Sequence, residues 1–177
     1  MSQKNLFSFF KNIRSLVLVS LFVALYAVFS LFAIYITNEL RFNFTFMPVA
    51  WSSVLFGPVA GGVTGVLGDV LGWMVRTEGP FLPGLTFSAF VSGIIYGIFL
   101  YNKEITVIRV LFAAITMIVV VEIGLNTLWL MILYGSAFKA LIAGRLIKAL
   151  ILLPVQVFVL HSTGHLLKRI SPVYNRI

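Results

Sequence analysis

The chain has 177 residues, of which 60% are hydrophobic and only 10% are charged, and its mean hydropathy is +1.08. Soluble domains carry about 25% charged residues, so this composition excludes a soluble globular domain and indicates a membrane protein. The chain has no cysteine, which excludes disulfides, thiolate metal sites and cysteine nucleophiles. Its formal net charge is +8, but the basic residues lie at the ends of apolar runs, as membrane anchors do, and not in a stripe suited to nucleic acid.

Apolar segments follow one another along the whole chain. The first, residues 16–36, has a length of about 20 residues, which suits a membrane span better than the short core of a signal peptide. The others are bounded by charged residues or by Gly and Pro, and they cover residues 46–56, 59–75, 85–101, 105–134 and 141–167. The sequence therefore predicts an all-α membrane protein, a bundle of six transmembrane helices. We expect one integral membrane domain over residues 1–177, with a short cytoplasmic segment 1–14 and a short tail 168–177.

Lys and Arg are unevenly distributed between the two ends of this bundle. Six spans place eight of them on the side that holds both termini and three on the other. The larger group is Lys4, Lys11, Arg14, Lys103, Arg109, Lys168, Arg169 and Arg176, and the smaller is Arg41, Arg76 and Lys139. Because cytoplasmic connections are enriched in Lys and Arg, both termini are predicted to be cytoplasmic. Arg145 and Lys148 fall within or at the mouth of the sixth helix and need another explanation.

Small residues recur at every fourth position in the third and fourth helices. The sets are Gly57, Gly61 and Gly65, then Gly68 and Gly72, then Ala89, Gly93 and Gly97. This spacing puts them on one helix face and predicts close packing of these two helices. Ser20, Ala24 and Ala27 form another small face on the first helix, and their spacing leaves open whether they pack internally or against another membrane subunit.

Ionisable residues within the apolar segments are the strongest functional signal, because each costs about 2.5 to 3.5 kcal/mol at a helix centre. They are Asp69, Glu122, Arg145, Lys148, His161 and His165. Arg145 and Lys148 are three residues apart, so they share a helix face, and an anion between them would relieve their repulsion. The alternative is that they pair with Asp69 and Glu122 in a closed structural network. The two histidines are one turn apart, but without a carboxylate in the same run their spacing favours anchoring at the membrane surface over metal binding.

Aromatic and polar residues accompany these charges at the outer ends of the third, fifth and sixth helices. The residues predicted to lie at a comparable depth are Asp69, Trp73, Asn126, Tyr134 and Arg145. This set suits a planar, anionic ligand, whereas an aromatic belt at the membrane surface is the alternative.

Enzyme motifs are missing from the sequence. It contains no H-E-x-x-H, no G-x-S-x-G and no G-x-x-x-x-G-K-[ST], so a metalloprotease, a serine hydrolase and an ATPase lack their minimum parts. Asp69 and Glu122 leave an intramembrane carboxylate enzyme possible, but such residues usually serve transport. The chain is small for a complete transporter and shows no inverted repeat, which indicates the membrane-embedded binding part of a larger assembly.

Several segments resemble the folate-specific S components of energy-coupling factor (ECF) transporters. They are LRF (40–42), FMPVA (46–50), LFGPVAGGVTGVLGDVLG (55–72), EGPFLPGLTFSAFVSGIIYG (78–97), LNTLWLMILYG (125–135) and AGRLIKALILLPVQ (143–156). The resemblance covers about residues 15–170. Its glycine-rich motifs are shared by vitamin S components generally, whereas LNTLW and RLIKAL-x-x-x-P are closer to the folate branch.

The resemblance implies a six-helix vitamin-binding subunit of the bacterial plasma membrane that has no ATPase activity. It would associate with a transmembrane coupling subunit, the T component, and with two cytosolic ATPases that use the ATP, and it would hold no cofactor or metal of its own. The family's small-residue contact motif on the first helix falls on Ser20, Ala24 and Ala27. The usual pair is two alanines four residues apart, and a serine in place of one still permits close approach.

A folate ligand fits the polar residues identified above. Asp69 would accept hydrogen bonds from the flat pterin ring, Trp73 or Tyr134 would stack on it, and Arg145 and Lys148 would bind the two tail carboxylates. The predicted substrate-binding set, with Arg145 ranked first, is Arg145, Lys148, Asp69, Trp73, Asn126, Tyr134, Arg76 and Arg41. The alternatives are an S component for another vitamin, such as pyridoxine or pantothenate, and a stand-alone channel or small carrier.

Overall fold

In a computed structural model, residues 13–37, 40–76, 81–134 and 138–170 are described. The elements in chain order are α1 (Ile13–Leu31), β1 (Ile34–Thr37), β2 (Leu40–Phe42), α2 (Phe46–Phe56), α3 (Pro58–Val75), α4 (Pro83–Leu100), α5 (Val107–Met117), a π-helical segment (Ile118–Leu125), α6 (Asn126–Tyr134) and α7 (Phe138–Ile170). α5, the π segment and α6 follow one another without a break and together form one long helix.

The predicted helical membrane protein is confirmed. Five helical stretches are long and apolar enough to cross a membrane: Ile13–Leu31, Pro58–Val75, Pro83–Leu100, Val107–Ile132 and Gly144–Leu167. α2 has 11 residues, which rise by about 16 Å and do not cross a hydrocarbon core of about 30 Å alone. Six membrane-crossing helices therefore stay a prediction. A short antiparallel hairpin, in which Tyr35 of β1 pairs with Arg41 of β2, was not predicted from the sequence.

Gly57 makes the sharp turn between α2 and α3. Its backbone has φ +96° and ψ 179°, a conformation that glycine adopts without the steric cost that a Cβ brings. Its amide donates to the carbonyl of Ser53 at the end of α2, and its carbonyl accepts from the amide of Gly61 in α3. Pro58 then starts α3, where a proline suits the first turn. One glycine thus ends one helix and begins the next.

Glycines bring α3 and α4 into backbone contact, as the sequence predicted. A Cβ at Gly93 would clash with the backbone of Gly61, and a Cβ at Gly65 would clash with the carbonyl of Ala89. At the end of α4, a Cβ at Gly97 would clash with Pro58. Such small residues allow backbones to approach closely where lipid supplies no hydrophobic driving force.

Buried hydroxyl groups connect the central helices further. Ser53 Oγ of α2 donates to the carbonyl of Gly93 in α4 at 2.9 Å, and Thr64 Oγ1 of α3 donates to Ser52 Oγ at 2.7 Å. Trp51 Nε1 donates to Thr163 Oγ1 of α7 at 3.0 Å. These bonds hold α2, although short, against three neighbouring helices.

We expect Gly93→Val to lower the free energy of unfolding by about 3 kcal/mol or to prevent folding, because the new side chain would overlap the Gly61 backbone, which cannot move aside. Thermal unfolding of the purified protein in detergent measures this. Ile98→Val is the control on the same helix, since Ile98 is 56% exposed on the outside of the chain. Equal melting temperatures for the two variants would contradict the close contact between α3 and α4.

Candidate ligand-binding site

Asp69 lies where α1, α3 and α4 meet. Its carboxylate accepts a hydrogen bond from Thr86 Oγ1 of α4 at 2.7 Å and one from the Tyr26 hydroxyl of α1 at 3.4 Å. Within the described ranges it forms no ion pair, so it does not belong to a network with Arg145 and Lys148. A carboxylate has about four lone-pair positions, and two hydroxyl donors leave capacity for further donors from a ligand.

Arg145 and Lys148 on α7 both face Glu122 in the π segment. Lys148 Nζ lies 2.9 Å from Glu122 Oε2, and Arg145 Nη1 lies 3.8 Å from the same oxygen. The Arg145 guanidinium also donates to the backbone carbonyl of Glu122. Both basic side chains are buried, whereas Glu122 keeps 23% of its side chain exposed. The alternative of a closed network is thus observed for Glu122 and not for Asp69.

The π segment explains how one residue binds Arg145 with both its backbone and its side chain. The amide of Asn126 donates to the carbonyl of Val121, five residues back, where an α-helix would use the residue four back. The Glu122 carbonyl accepts from the Thr127 hydroxyl at 3.4 Å in addition to Arg145. Such wider turns are rare in proteins as a whole, but those that occur are frequently found at functional sites. Hydrophobic periodicity gave no signal for this segment.

Trp129 of α6 packs on the first turn of α4. A Cβ at Gly84 would clash with its indole ring, so only glycine leaves room for the ring at that position. Because Thr86 of the same turn bonds Asp69, the start of α4 contacts both α3 and α6. The rings of Trp73 and Phe81 also contact each other, with centroids 5.2 Å apart.

Three buried polar atoms near this turn have no hydrogen-bond partner among the described residues: Asn126 Oδ1, Trp129 Nε1 and Ser88 Oγ. Ser88 is one turn beyond Gly84, and Asn126 is three residues before Trp129, so each pair shares a helix face. Buried polar atoms are normally satisfied, and unpaired ones suit a ligand that supplies the missing partners. Asn126 belongs to the binding set predicted from the sequence, whereas Ser88 and Trp129 do not. The signals for these two residues were their spacing and the aromatic ring of Trp129.

The remaining predicted contacts are Arg76, Arg41 and Tyr134, and the structure describes the side chain of Arg76. Arg76 Nη1 donates to the carbonyls of Leu31 at 2.6 Å and Ala33 at 3.1 Å, so it holds the end of α1. The side chains of Arg41 and Tyr134 lie outside the described part of the structure. The structure therefore brings Arg145 and Lys148 together through Glu122, groups Asn126 with Trp129, and ties Asp69 to α4.

The small face of α1 is turned outward at two of its three positions. Ser20 and Ala24 are exposed, and Ala27 is half-buried. The opposite face of the helix, with Val19, Phe22 and Tyr26, is buried in the bundle. Ser20 Oγ donates to the carbonyl of Leu16, so its hydroxyl is satisfied within its own helix. Ser20 and Ala24 are thus available to another subunit, and that role stays a prediction.

The two histidines of α7 contact each other, with ring centroids 4.7 Å apart in an edge-to-face arrangement. His161 Nδ1 is buried without a partner in the parts of the chain that are described. Among those residues, no group of three or more His, Cys, Asp or Glu could hold a metal ion.

Known proteins are similar to this chain in sequence and in fold. Residues 14–162 match the family model described as ECF transporter, substrate-specific component, a family of transport components and not of enzymes. The chain is 38% identical to the folate transporter FolT of Clostridium novyi, over 94% of this chain and 96% of that protein. It is 33% identical to the folate transporter FolT of Leuconostoc mesenteroides, over 81% and 80%.

A crystal structure of FolT bound with folic acid has the same fold. It matches with a TM-score of 0.81 and 36% identity, over 86% of this chain and 95% of that chain. The matches confirm the resemblance that the sequence motifs indicated. The chain belongs to the family of substrate-specific components of ECF transporters.

Proposed function

We propose that this chain is the folate-binding membrane subunit, or S component, of an ECF-type vitamin importer. It binds folate from outside the cell and delivers it in a complex with a T component and two cytosolic ATPases. The observation that carries the proposal is the similarity, over nearly the whole chain, to two folate transporters and to a FolT structure bound with folic acid.

The polar groups of the site support a ligand with a flat heterocycle at one end and carboxylates at the other. Asp69 offers acceptor capacity for ring N–H groups, and Asn126 Oδ1 and Trp129 Nε1 offer one acceptor and one donor. Aromatic faces such as those of Trp73 and Trp129 suit stacking against a ring. Arg145 and Lys148 provide charge-assisted donors for carboxylates. Arg41, Arg76 and Tyr134 stay in the proposed contact set.

Energy for transport comes from the partner subunits in this proposal. The chain needs no cofactor of its own, and the exposed Ser20 and Ala24 on α1 supply a surface for close contact with the T component. Arg14 at the start of α1 and Lys103 and Arg109 near the start of α5 are exposed, as expected for cytoplasmic anchors. The protein would lie in the plasma membrane with both termini in the cytoplasm.

One observation favours a second candidate, an S component for another vitamin. Glu122 lies beside both cations, and the three side chains together carry a net charge of +1, which a ligand with a single carboxylate, such as pantothenate, would balance. Calorimetric titration of the detergent-solubilised protein with a panel of vitamins decides between the two. Folate should bind with the highest affinity, and preference for pantothenate or pyridoxine would replace the first candidate by the second.

We expect Arg145→Ala to weaken folate binding by about 2 kcal/mol or more, because it removes a charge-assisted donor from a buried carboxylate of the ligand. Calorimetry on the wild type and the variant measures the dissociation constants. The matched control is Arg109→Ala, which removes the same side chain from an exposed position on α5. An unchanged dissociation constant in a folded Arg145→Ala protein would make Arg145 a structural partner of Glu122 and not a ligand contact.

We expect Ala24→Trp to block assembly with the T component or ATP-driven uptake, because a bulky side chain on the exposed face of α1 prevents close helix approach. Copurification with tagged partner subunits measures assembly, and calorimetry shows whether folate binding survives. Leu150→Trp is the control, since Leu150 is 77% exposed on α7. Loss of ligand binding in Ala24→Trp would indicate internal packing, and undisturbed assembly and uptake would indicate a face that contacts lipid only.

A further inference from the structure

Glu122 occupies the place that the proposed function gives to the ligand's carboxylates. Its Oε2 atom is 2.9 Å from Lys148 Nζ and 3.8 Å from Arg145 Nη1, so one oxygen is shared by both cations. A ligand carboxylate that bound the same two side chains would need the same donors. The protein's carboxylate and the ligand's carboxylates therefore compete.

The charges of the cluster show the extent of this competition. Arg145 and Lys148 carry two positive charges and Glu122 one negative charge, which leaves a net charge of +1 for the three side chains. The tail of folate carries two carboxylates, so it would match the basic pair alone and exceed the charge of the complete cluster.

The backbone of the cluster is held independently of the Glu122 carboxylate. Arg145 donates to the Glu122 carbonyl, and the Thr127 hydroxyl donates to the same oxygen at 3.4 Å. These bonds remain when the side chain of Glu122 rotates, so Arg145 keeps its position. Glu122 is also the most exposed member of the cluster, at 23%, so its carboxylate is less enclosed by the protein than the two basic side chains are.

We propose that Glu122 is an internal competitor of the ligand, a positioning and affinity-determining residue that stabilises Arg145 and Lys148 when the ligand is absent and gives them up when it binds. The inference rests on the proposed function, because it assumes that the ligand's carboxylates bind this basic pair. Two buried cations without a counterion are strongly disfavoured, so a carboxylate that returns to them assists ligand release. The same carboxylate lowers the equilibrium affinity for the ligand.

The test compares wild type with Glu122→Gln, which keeps the shape of the side chain and removes its charge. We expect folate to bind about tenfold more tightly or better, since close charge pairs contribute at least that much. The diamide of folate, in which both tail carboxylates are neutral amides, should gain no affinity from the substitution. Folate should also raise the melting temperature of the variant by more than that of the wild type. Glu104→Gln, which removes an exposed carboxylate between α4 and α5, is the matched control and should behave as wild type.

The possible results separate this inference from the proposed function. If wild type does not bind folate, the proposed function fails, whatever the variant does. If wild type binds folate and Glu122→Gln leaves that affinity unchanged or weakens binding of folate and its diamide equally, Glu122 is a structural residue and the competition is wrong. Should Glu122→Gln not fold, Glu122→Asp draws the carboxylate back by one methylene. A selective gain in folate affinity over the diamide supports the inference in that variant, and no gain overturns it.

Discussion

The architecture depends on the backbone contact between α3 and α4. A Cβ at Gly65 or Gly93 would clash with the facing backbone, so the two helices could not approach as closely with any larger residue at these positions. This contact sets the position of the first turn of α4, where Thr86 reaches Asp69 and Gly84 receives the ring of Trp129. The candidate site is built around that turn, because one rigid pair of helices holds groups from α1, α3 and α6 in place.

The second constraint is electrostatic. Arg145 and Lys148 are buried in a helix that is long and apolar enough to cross a membrane, where an uncompensated charge is costly. Glu122 meets this requirement, and the π segment allows its carbonyl and its carboxylate to contribute together. A regular α-helix would place these two groups differently relative to α7. The ion cluster therefore depends on the π-helical conformation of this segment.

The helical segments and the α3–α4 contact could be predicted from the sequence because both depend on regular spacing. Apolar length identifies a span, and glycine at every fourth position identifies a contact face. The π segment could not be predicted, since Ile118–Leu125 has a uniformly apolar pattern apart from Glu122 and Gly124. The choice of Glu122 over Asp69 as partner of the basic pair depends on three-dimensional distance.

Other parts of the site show the same division between local pattern and long-range packing. The hairpin β1–β2 interrupts an apolar run that the sequence assigned to the first helix up to Ile36, because β-branched residues there pair across strands. The contact of Trp129 with Gly84, 45 residues away along the chain, could not be predicted from local spacing. Spacing within one helix identifies a shared face, but it does not identify which helix covers that face.

Helix α1 is bonded to α3 along one side, although its other side is exposed. Tyr26 donates to Asp69 in the middle of the helix, and Arg76 binds the carbonyls of Leu31 and Ala33 at its end. The ring of Tyr26 also packs on Gly68 of α3, which adds steric contact to its hydrogen bond. A displacement of α1 caused by contact at its exposed residues would therefore also displace α3. The carboxylate of Asp69 would move together with the two helices.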